Sequence, residues 1–258
     1  MAEFDPNTPS IARVYDYVLG GKDNFAADRE LADRLLTLVP LISGLAVENR
    51  KFLSRAVTWA ANQGISQVID LGCGLPTAPS THESAQAIIG GARVAYVDSD
   101  PVVVSHLQAL SAKGNPGVSV LDGDVREVPA VLDSVRADLD LSAPACLMVG
   151  YLLHFFTADA ARDMVTKYAA ALAPGSCLVL SVLQSDSEAA DEGLNTYSSK
   201  AAPVYSHPVA EIASFFGPLE LVPPGLVDAR QWHPGWELPD PPPRASHVIV
   251  GVGRKQAE

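Results

Sequence analysis

The chain has 258 residues, nearly half of them apolar, and a formal net charge of −12. This suits one α/β domain with additions, or one domain plus a small cap. An acidic surface repels phosphate backbones, which disfavours duplex nucleic acid as a partner. No apolar run is long enough to span a bilayer; the longest lies near CLVLSVL (177–183). The opening MAEFDPNTPS lacks the basic and apolar regions of a secretory signal, so the expectation is a cytoplasmic protein. Cys73, Cys146 and Cys177 lie in or beside strand-like runs and are expected as buried reduced thiols. No pair of them has metal-ligand spacing.

The first third of the chain reads as helices. Ile11, Val14, Tyr15, Val18 and Leu19 follow helical spacing up to Gly20-Gly21. A second helix carries Leu31, Leu35 and Leu38 and ends at Pro40. A third runs from about 42 to 63, with Leu45, Phe52, Leu53, Ala56, Val57 and Ala60 on one face. From residue 66 the pattern becomes strand–helix alternation. Strand-like runs are 67–71, 93–98, 118–124, 145–152 and 177–183, with helical segments near 82–90, 101–112, 127–138 and 158–172. Continuous apolar strands between amphipathic helices imply a parallel sheet covered on both faces. Ser80 with Glu83 fits a capping box, and Asp100-Pro101 fits an N-cap followed by a first-turn proline. After 184 come a polar stretch, a helix near 208–216, a short strand near 219–222, a Pro-rich loop (223–243) and a last strand at 247–253. The expected division is a helical cap or lid over 1–64 and a ligand-binding core over 65–258.

The sharpest local signal is VIDLGCGLPT (68–77), in which a strand carries Asp70 and Gly72-x-Gly74 opens the turn. Glycines serve where a backbone takes positive φ or approaches a ligand closely, and open α/β sheets bind ligands beyond their carboxyl strand ends. A little over twenty residues after Gly74 the second strand ends in Asp98, whose carboxylate suits a ribose diol, with Ser99 beside it. The third strand is expected to end at Asp124-Val125, where an adenine edge would lie. Gly150, within the fourth strand-like run, is a further candidate for cofactor binding. A dinucleotide fingerprint needs a third glycine where Thr77 stands, after Pro76, and the next helix starts only near Thr81. Pyrophosphate is therefore poorly served, and the loop favours S-adenosylmethionine over a nicotinamide cofactor.

These residues resemble motif I (Asp70, Gly72, Gly74), the ribose acid (Asp98) and the adenine acid (Asp124) of class I methyltransferases. The chain as a whole resembles a bacterial S-adenosyl methyltransferase family formerly called a domain of unknown function. The likeness rests on ARVYDYVLGGKDNFAADRE (12–30), ENRKFL (48–53), QVIDLGCGLPT with YVDSDPVV (67–77, 96–103), and FFGPLELVPPGLV (215–227). It implies a Rossmann-like seven-stranded sheet, mostly parallel with an antiparallel last strand, and an N-terminal helical cap. Cys73 stands where a small hydroxyl residue is expected.

Methyl transfer requires a positioned nucleophile and exclusion of water. His154, in GYLLHFF (150–156), is a candidate for catalysis or acceptor binding, or a packed core histidine. Tyr15, with Asp16 beside it, and the Lys22-Asp23-Asn24 cluster read as a pocket wall on a glycine pivot, or as a helix-terminus device. Asp23 and Tyr15 are the catalytic candidates of that segment. Asn49 places an amide on a buried stripe, and Arg50 is a candidate for the cofactor carboxylate or a surface residue. His82 suits a loop-orienting role. Trp232, His233 and Trp236 wall an acceptor pocket or pack on the sheet edge. The leading expectation is a methyltransferase with a small-molecule acceptor. The alternatives are a non-catalytic cofactor-binding regulator and a nicotinamide oxidoreductase.

Overall fold

The computed structural model describes residues 4–185, 187–235 and 247–256. The chain opens with α1 (Ile11–Val18), α2 (Ala26–Leu38) and α3 (Ile42–Asn62). It then alternates through β1 (Gln67–Leu71), α4 (Thr81–Gln86), β2 (Arg93–Asp98), α5 (Pro101–Leu107), β3 (Val118–Asp122) and α6 (Val128–Val135). A second half follows: β4 (Cys146–Gly150), α7 (Ala158–Ala170), β5 (Cys177–Gln184), α8 (Glu188–Ser198) and α9 (Val209–Ser214), then β6 (Glu220–Leu221), β7 (Val227–Asp228) and β8 (His247–Arg254). The sheet order is β3-β2-β1-β4-β5-β8-β6, parallel from β3 to β5, with β8 antiparallel to β5. β6 and β7 pair with β8 at different points along it. They occupy one interrupted edge position, so eight short strands fill the seven places expected from the sequence.

The strands alternate between two cores because successive side chains point to opposite faces. Ile69, Leu71, Val97, Leu147, Val149 and Leu180 pack against α6, α7 and α9. Val68, Val94, Cys146, Met148, Val179 and Val250 pack on the other face, against α3, α4 and α5. Cys146 and Cys177 face each other in register as free buried thiols, and Cys73 is free and partly buried. Phe52, Leu53, Ala56 and Val57 place α3 inside this second core. α1 and α2 form a further cluster through Val14, Val18, Leu31 and Leu35, which Ala46 of α3 joins.

Besides β7, which falls in the stretch expected as a Pro-rich loop, three features differ from the sequence expectation. β3 stops at Asp122, so Asp124 lies beyond the strand rather than at its end. β4 stops at Gly150, because Tyr151 turns the chain with φ +54°. The polar stretch after 184 contains α8, capped by Ser187, whose hydroxyl accepts from Ala190 N–H. No helix among the described residues is long and apolar enough to cross a membrane. No group of three or more His, Cys, Asp or Glu among them is placed to hold a metal.

The N-terminal segment is held by a buried ion pair. The Asp28 carboxylate, wholly buried, accepts from Arg13 Nε at 2.8 Å, Ser10 N–H at 2.9 Å and Phe25 N–H at 2.8 Å. The Arg13 guanidinium also donates to Thr8 O and lies over the Phe4 and Phe25 rings. Removing one partner leaves a buried charge without compensation. Asp28→Ala should lower the unfolding free energy by roughly 3–5 kcal/mol, read by urea denaturation. A loss below about 1 kcal/mol, as for an exposed pair, would show that Arg13 finds another partner.

Candidate functional site

The carboxyl edge of the sheet opens into a cavity of about 740 Å³. Its floor is the turn after β1, where Gly72 (φ +61°) and Gly74 (φ +67°) both take left-handed backbone. A Cβ at Gly72 would come within 2.8 Å of the Leu152 side chain, whereas at Gly74 it would point into open space. The loop is tied to the next strand by Gly74 N–H, which donates to Asp98 Oδ2 at 3.0 Å. The other carboxylate oxygen accepts from Asp100 N–H at 3.0 Å. Burial raises the Asp98 pKa, opposed by these backbone donors.

Asp70 lies beneath the loop and accepts from Thr81 Oγ1 at 2.6 Å. Burial pushes its pKa up to about 7, with the Thr81 hydroxyl and the Arg50 charge opposing. Arg50, from α3, donates to Thr77 O at 3.1 Å and lines the cavity. The Ser80–Glu83 capping box forms as expected and starts α4. His82 N–H donates to the Tyr96 hydroxyl, which orients this turn. Asp100 caps α5 through Val102 N–H and takes a second hydrogen bond, from Ser10 Oγ at 2.6 Å.

All nine residues expected at the cofactor line this cavity: Asp70, Gly72, Gly74, Asp98, Ser99, Asp124, Val125, Gly150 and Arg50. Asp124 reaches it from the turn after β3 and is paired with Arg126, whose hydrogen bonds hold its carboxyl below the usual range. Gly150 is where α3 comes closest, since a Cβ there would meet Leu53 Cδ1 at 2.8 Å.

Tyr15 and His154 line the same cavity. The Tyr15 hydroxyl donates to Ala46 O at 3.2 Å and accepts from Asn49 Nδ2 at 2.9 Å. That network fixes the amide orientation and leaves Asn49 Oδ1 buried without a partner. His154 is buried, and its Nδ1 also has no partner. Burial, with a smaller contribution from His207, pushes its pKa down to about 3, so the ring is neutral.

Asp23 is not brought to the cavity. Its carboxylate is half-exposed and sits 3.5 Å from His106 Nε2. Lys22 and Asn24 are also absent from the lining. The loop is built instead around Asp16, whose Oδ2 accepts from Asp23 N–H and Asn24 Nδ2, both at 2.9 Å. Gly21 is required there, because a Cβ would lie 2.0 Å from the Asp16 carboxylate. The segment thus divides: α1 walls the cavity, and the polar cluster after it staples a turn. Trp232 is buried against Phe52 and Trp59, away from the lining, and Trp236 falls outside the described residues.

The sequence reading missed the far wall. Tyr151, Phe155 and the α8 residues Ala190, Gly193, Leu194 and Tyr197 line the cavity. The α8 residues follow i, i+3, i+4, i+7 spacing, a signal present in the sequence but weakened by small and polar neighbours. Among the described residues, charge is confined to the other side. The lining carboxylates and guanidinium groups Asp5, Arg13, Arg50, Asp70, Asp98, Asp100, Asp124 and Arg126 come from the N-terminal segment, α3, and the edge of β1–β3.

An adenosine cofactor with an amino-acid tail fits these residues. Gly74 leaves open backbone beside a fixed carboxylate, and the buried Asn49 Oδ1 needs a donor such as an ammonium. The comparisons agree. A family described as S-adenosyl methyltransferase matches residues 1–256. A candidate methyltransferase from Thermobifida fusca YX is 41% identical, with a TM-score of 0.91, covering 97% of this chain and 96% of that one. A DUF574 family protein from Streptomyces avermitilis MA-4680 is 32% identical, with a TM-score of 0.88, covering 97% and 99%. The mitomycin 7-O-methyltransferase MmcR shares the fold at 17% identity and a TM-score of 0.51, covering 94% of this chain and 67% of its own. No curated protein matches the chain. A match across nearly every residue and two full-length relatives above 30% identity place this chain in the S-adenosyl methyltransferase family, with S-adenosylmethionine as its cofactor.

Proposed function

We propose that the protein transfers the methyl group of S-adenosylmethionine to a small-molecule acceptor held beside α8. The reading rests on one observation above the others: a single cavity joins the glycine loop and its acids to an uncharged wall built from α2, α8 and the turn after β4. Its volume of about 740 Å³ falls in the usual range for small-ligand sites. A protein that only sensed the cofactor has no use for a second compartment of this kind.

When bound, the cofactor supplies an electrophilic methyl group on a sulfonium sulfur. Asp98 offers its carboxylate to the ribose hydroxyls, and Asp124 and Val125 border the adenine. Arg50 meets the amino-acid carboxylate, while Asn49 Oδ1 and Asp70 receive the ammonium. Gly150 lets α3 close on the end of β4. Helices α1, α2 and α8 cover the opposite side and limit access of water to the transfer. His154 and Tyr15 are the polar side chains proposed at the acceptor, and Asp23 is left to the surface. Incubation with methyl-labelled S-adenosylmethionine and fractionated metabolite extracts tests the reading. Label should appear in a small molecule, and complete absence of transfer with cofactor bound would favour a regulator instead.

Two binding measurements address the cofactor residues. Asp98→Ala should weaken S-adenosylhomocysteine by roughly 1–3 kcal/mol, the cost of losing a charge-assisted hydrogen bond. Calorimetry showing unchanged affinity would remove Asp98 from the site.

The second concerns pH. Asp70 is pushed from 3.8 to about 7, so in the free protein it is protonated below that pH. An ammonium neighbour favours the carboxylate, so binding below pH 7 releases a proton. Affinity for S-adenosylhomocysteine should be level above about pH 7 and weaken by up to about tenfold per unit below it. Asp70→Asn should flatten the profile. An unchanged slope in that variant would assign the proton to another group.

A further inference from the structure

Five aromatic rings form a continuous run along one wall of the cavity. Tyr15 lies 5.4 Å from Tyr151, Tyr151 4.7 Å from His154, His154 4.3 Å from Phe155 and Phe155 5.9 Å from Tyr197, between ring centroids. All five belong to the lining. Two buried polar atoms in the middle of this run, Tyr151 Oη and His154 Nδ1, have no hydrogen-bond partner. Buried polar groups are nearly always paired, and each exception calls for a reason.

The backbone adds an independent sign. Tyr151 takes φ +54°, a conformation that a bulky residue avoids. It is held there by its own N–H, which donates to the Ser181 carbonyl at 2.9 Å and the Ser181 hydroxyl at 2.8 Å. Strained backbone fixed by its surroundings in this way gathers at ligand sites. The ring is thereby aimed between Tyr15 and His154 instead of continuing the strand direction. No carboxylate, lysine or arginine lines the cavity from α2, the turn after β4, α8 or residues 202–204. A charged group placed there would lose hydration with no counter-charge in return. A flat, neutral ring would find aromatic faces to stack on and two polar atoms to engage.

We propose that the acceptor subsite takes an uncharged aromatic compound bearing a hydroxyl, which stacks on the Tyr15–Tyr197 wall and hydrogen-bonds to Tyr151 Oη and His154 Nδ1. Tyr151 and His154 are then the specificity-determining residues, and α8 sets the length of ring system accepted. The inference rests on the methyl-transfer reading of the cavity.

The test uses the full chain saturated with S-adenosylhomocysteine and three probes built on the same bicyclic carbon frame: 2-naphthol, 2-naphthoate and decahydro-2-naphthol. Calorimetry should show 2-naphthol binding at least about tenfold tighter than 2-naphthoate, because the carboxylate is desolvated without a partner. It should also bind tighter than decahydro-2-naphthol, which carries the hydroxyl without the aromatic faces. Tyr151→Phe and His154→Phe should each weaken 2-naphthol by about five- to tenfold, as expected for one lost hydrogen bond, with S-adenosylhomocysteine affinity unchanged. Melting curves establish that each variant is folded. Leu194→Lys, on the uncharged wall, should reverse the preference toward 2-naphthoate, and it tests the site even if a variant in the aromatic run fails to fold. Equal or tighter binding of 2-naphthoate by the natural chain would overturn the proposal. So would equal binding of decahydro-2-naphthol, unchanged 2-naphthol affinity in folded Tyr151 and His154 variants, no shift in preference in folded Leu194→Lys, or no 2-naphthol binding at about 1 mM. Failure of S-adenosylhomocysteine itself to bind would instead overturn the methyl-transfer reading.

Discussion

A buried carboxylate is stable only if nearly all of its hydrogen-bonding capacity is met, and Asp28 meets that demand by drawing in three separate pieces of chain. Arg13 comes from α1, Ser10 from the residue before it, and Phe25 from the start of α2. The consequence extends well past the pair. Ser10 is held by its N–H, and its hydroxyl reaches Asp100. Asp100 in turn donates its N–H to Asp98, and Asp98 receives Gly74 N–H from the glycine loop. One run of hydrogen bonds therefore joins the N-terminal helices to the glycine loop after β1. The cover and the floor of the cavity are parts of one network.

That network explains why the charge in the cavity is one-sided. Among the described residues, the carboxylates and guanidinium groups that line the cavity all come from the N-terminal segment, α3 and the edge of β1–β3. Among those residues, the opposite wall presents no charged side chain to the cavity: α2 contributes Leu35 there, while its Asp28 is buried against Arg13. It is lined by apolar and aromatic side chains, and its two unpartnered polar atoms are neutral groups. His154 belongs to this side, since burial leaves its ring uncharged at neutral pH. The two halves of the proposed reaction thus meet different dielectric surroundings within one cavity.

α3 connects the two. Its apolar face packs into the sheet through Phe52 and Leu53, while Asn49 and Arg50, nearly a turn earlier, enter the cavity. Leu53 also touches the end of β4, where a Cβ at position 150 would push its side chain aside. A helix that fills the core is for that reason also a rigid mount for two polar groups at the site. The same economy appears at the turn after α1, where Asp16 is satisfied by the following loop and Gly21 makes room for it.

Much of this was legible in the chain itself. Continuous apolar runs and helical hydrophobic patterns are local, so they determined the three leading helices and the strand–helix alternation from 67 to 184. The capping box at Ser80 and the glycines at 72 and 74 are likewise short-range devices, and each appears where its residues predict. The acids at 70, 98 and 124 line one cavity, as expected because strand ends in a parallel sheet share an edge. The sequence could not say which polar residues near Gly20-Gly21 enter the cavity, since Asp23 and Tyr15 differ only in what packs against them. It also left α8 hidden, because that helix presents small residues and Tyr197 to α2 and the cavity rather than an aliphatic stripe. The aromatic run from Tyr15 to Tyr197 draws on three elements far apart in the chain. Only tertiary packing brings those rings together, because no local periodicity encodes a contact between residues more than a hundred positions apart.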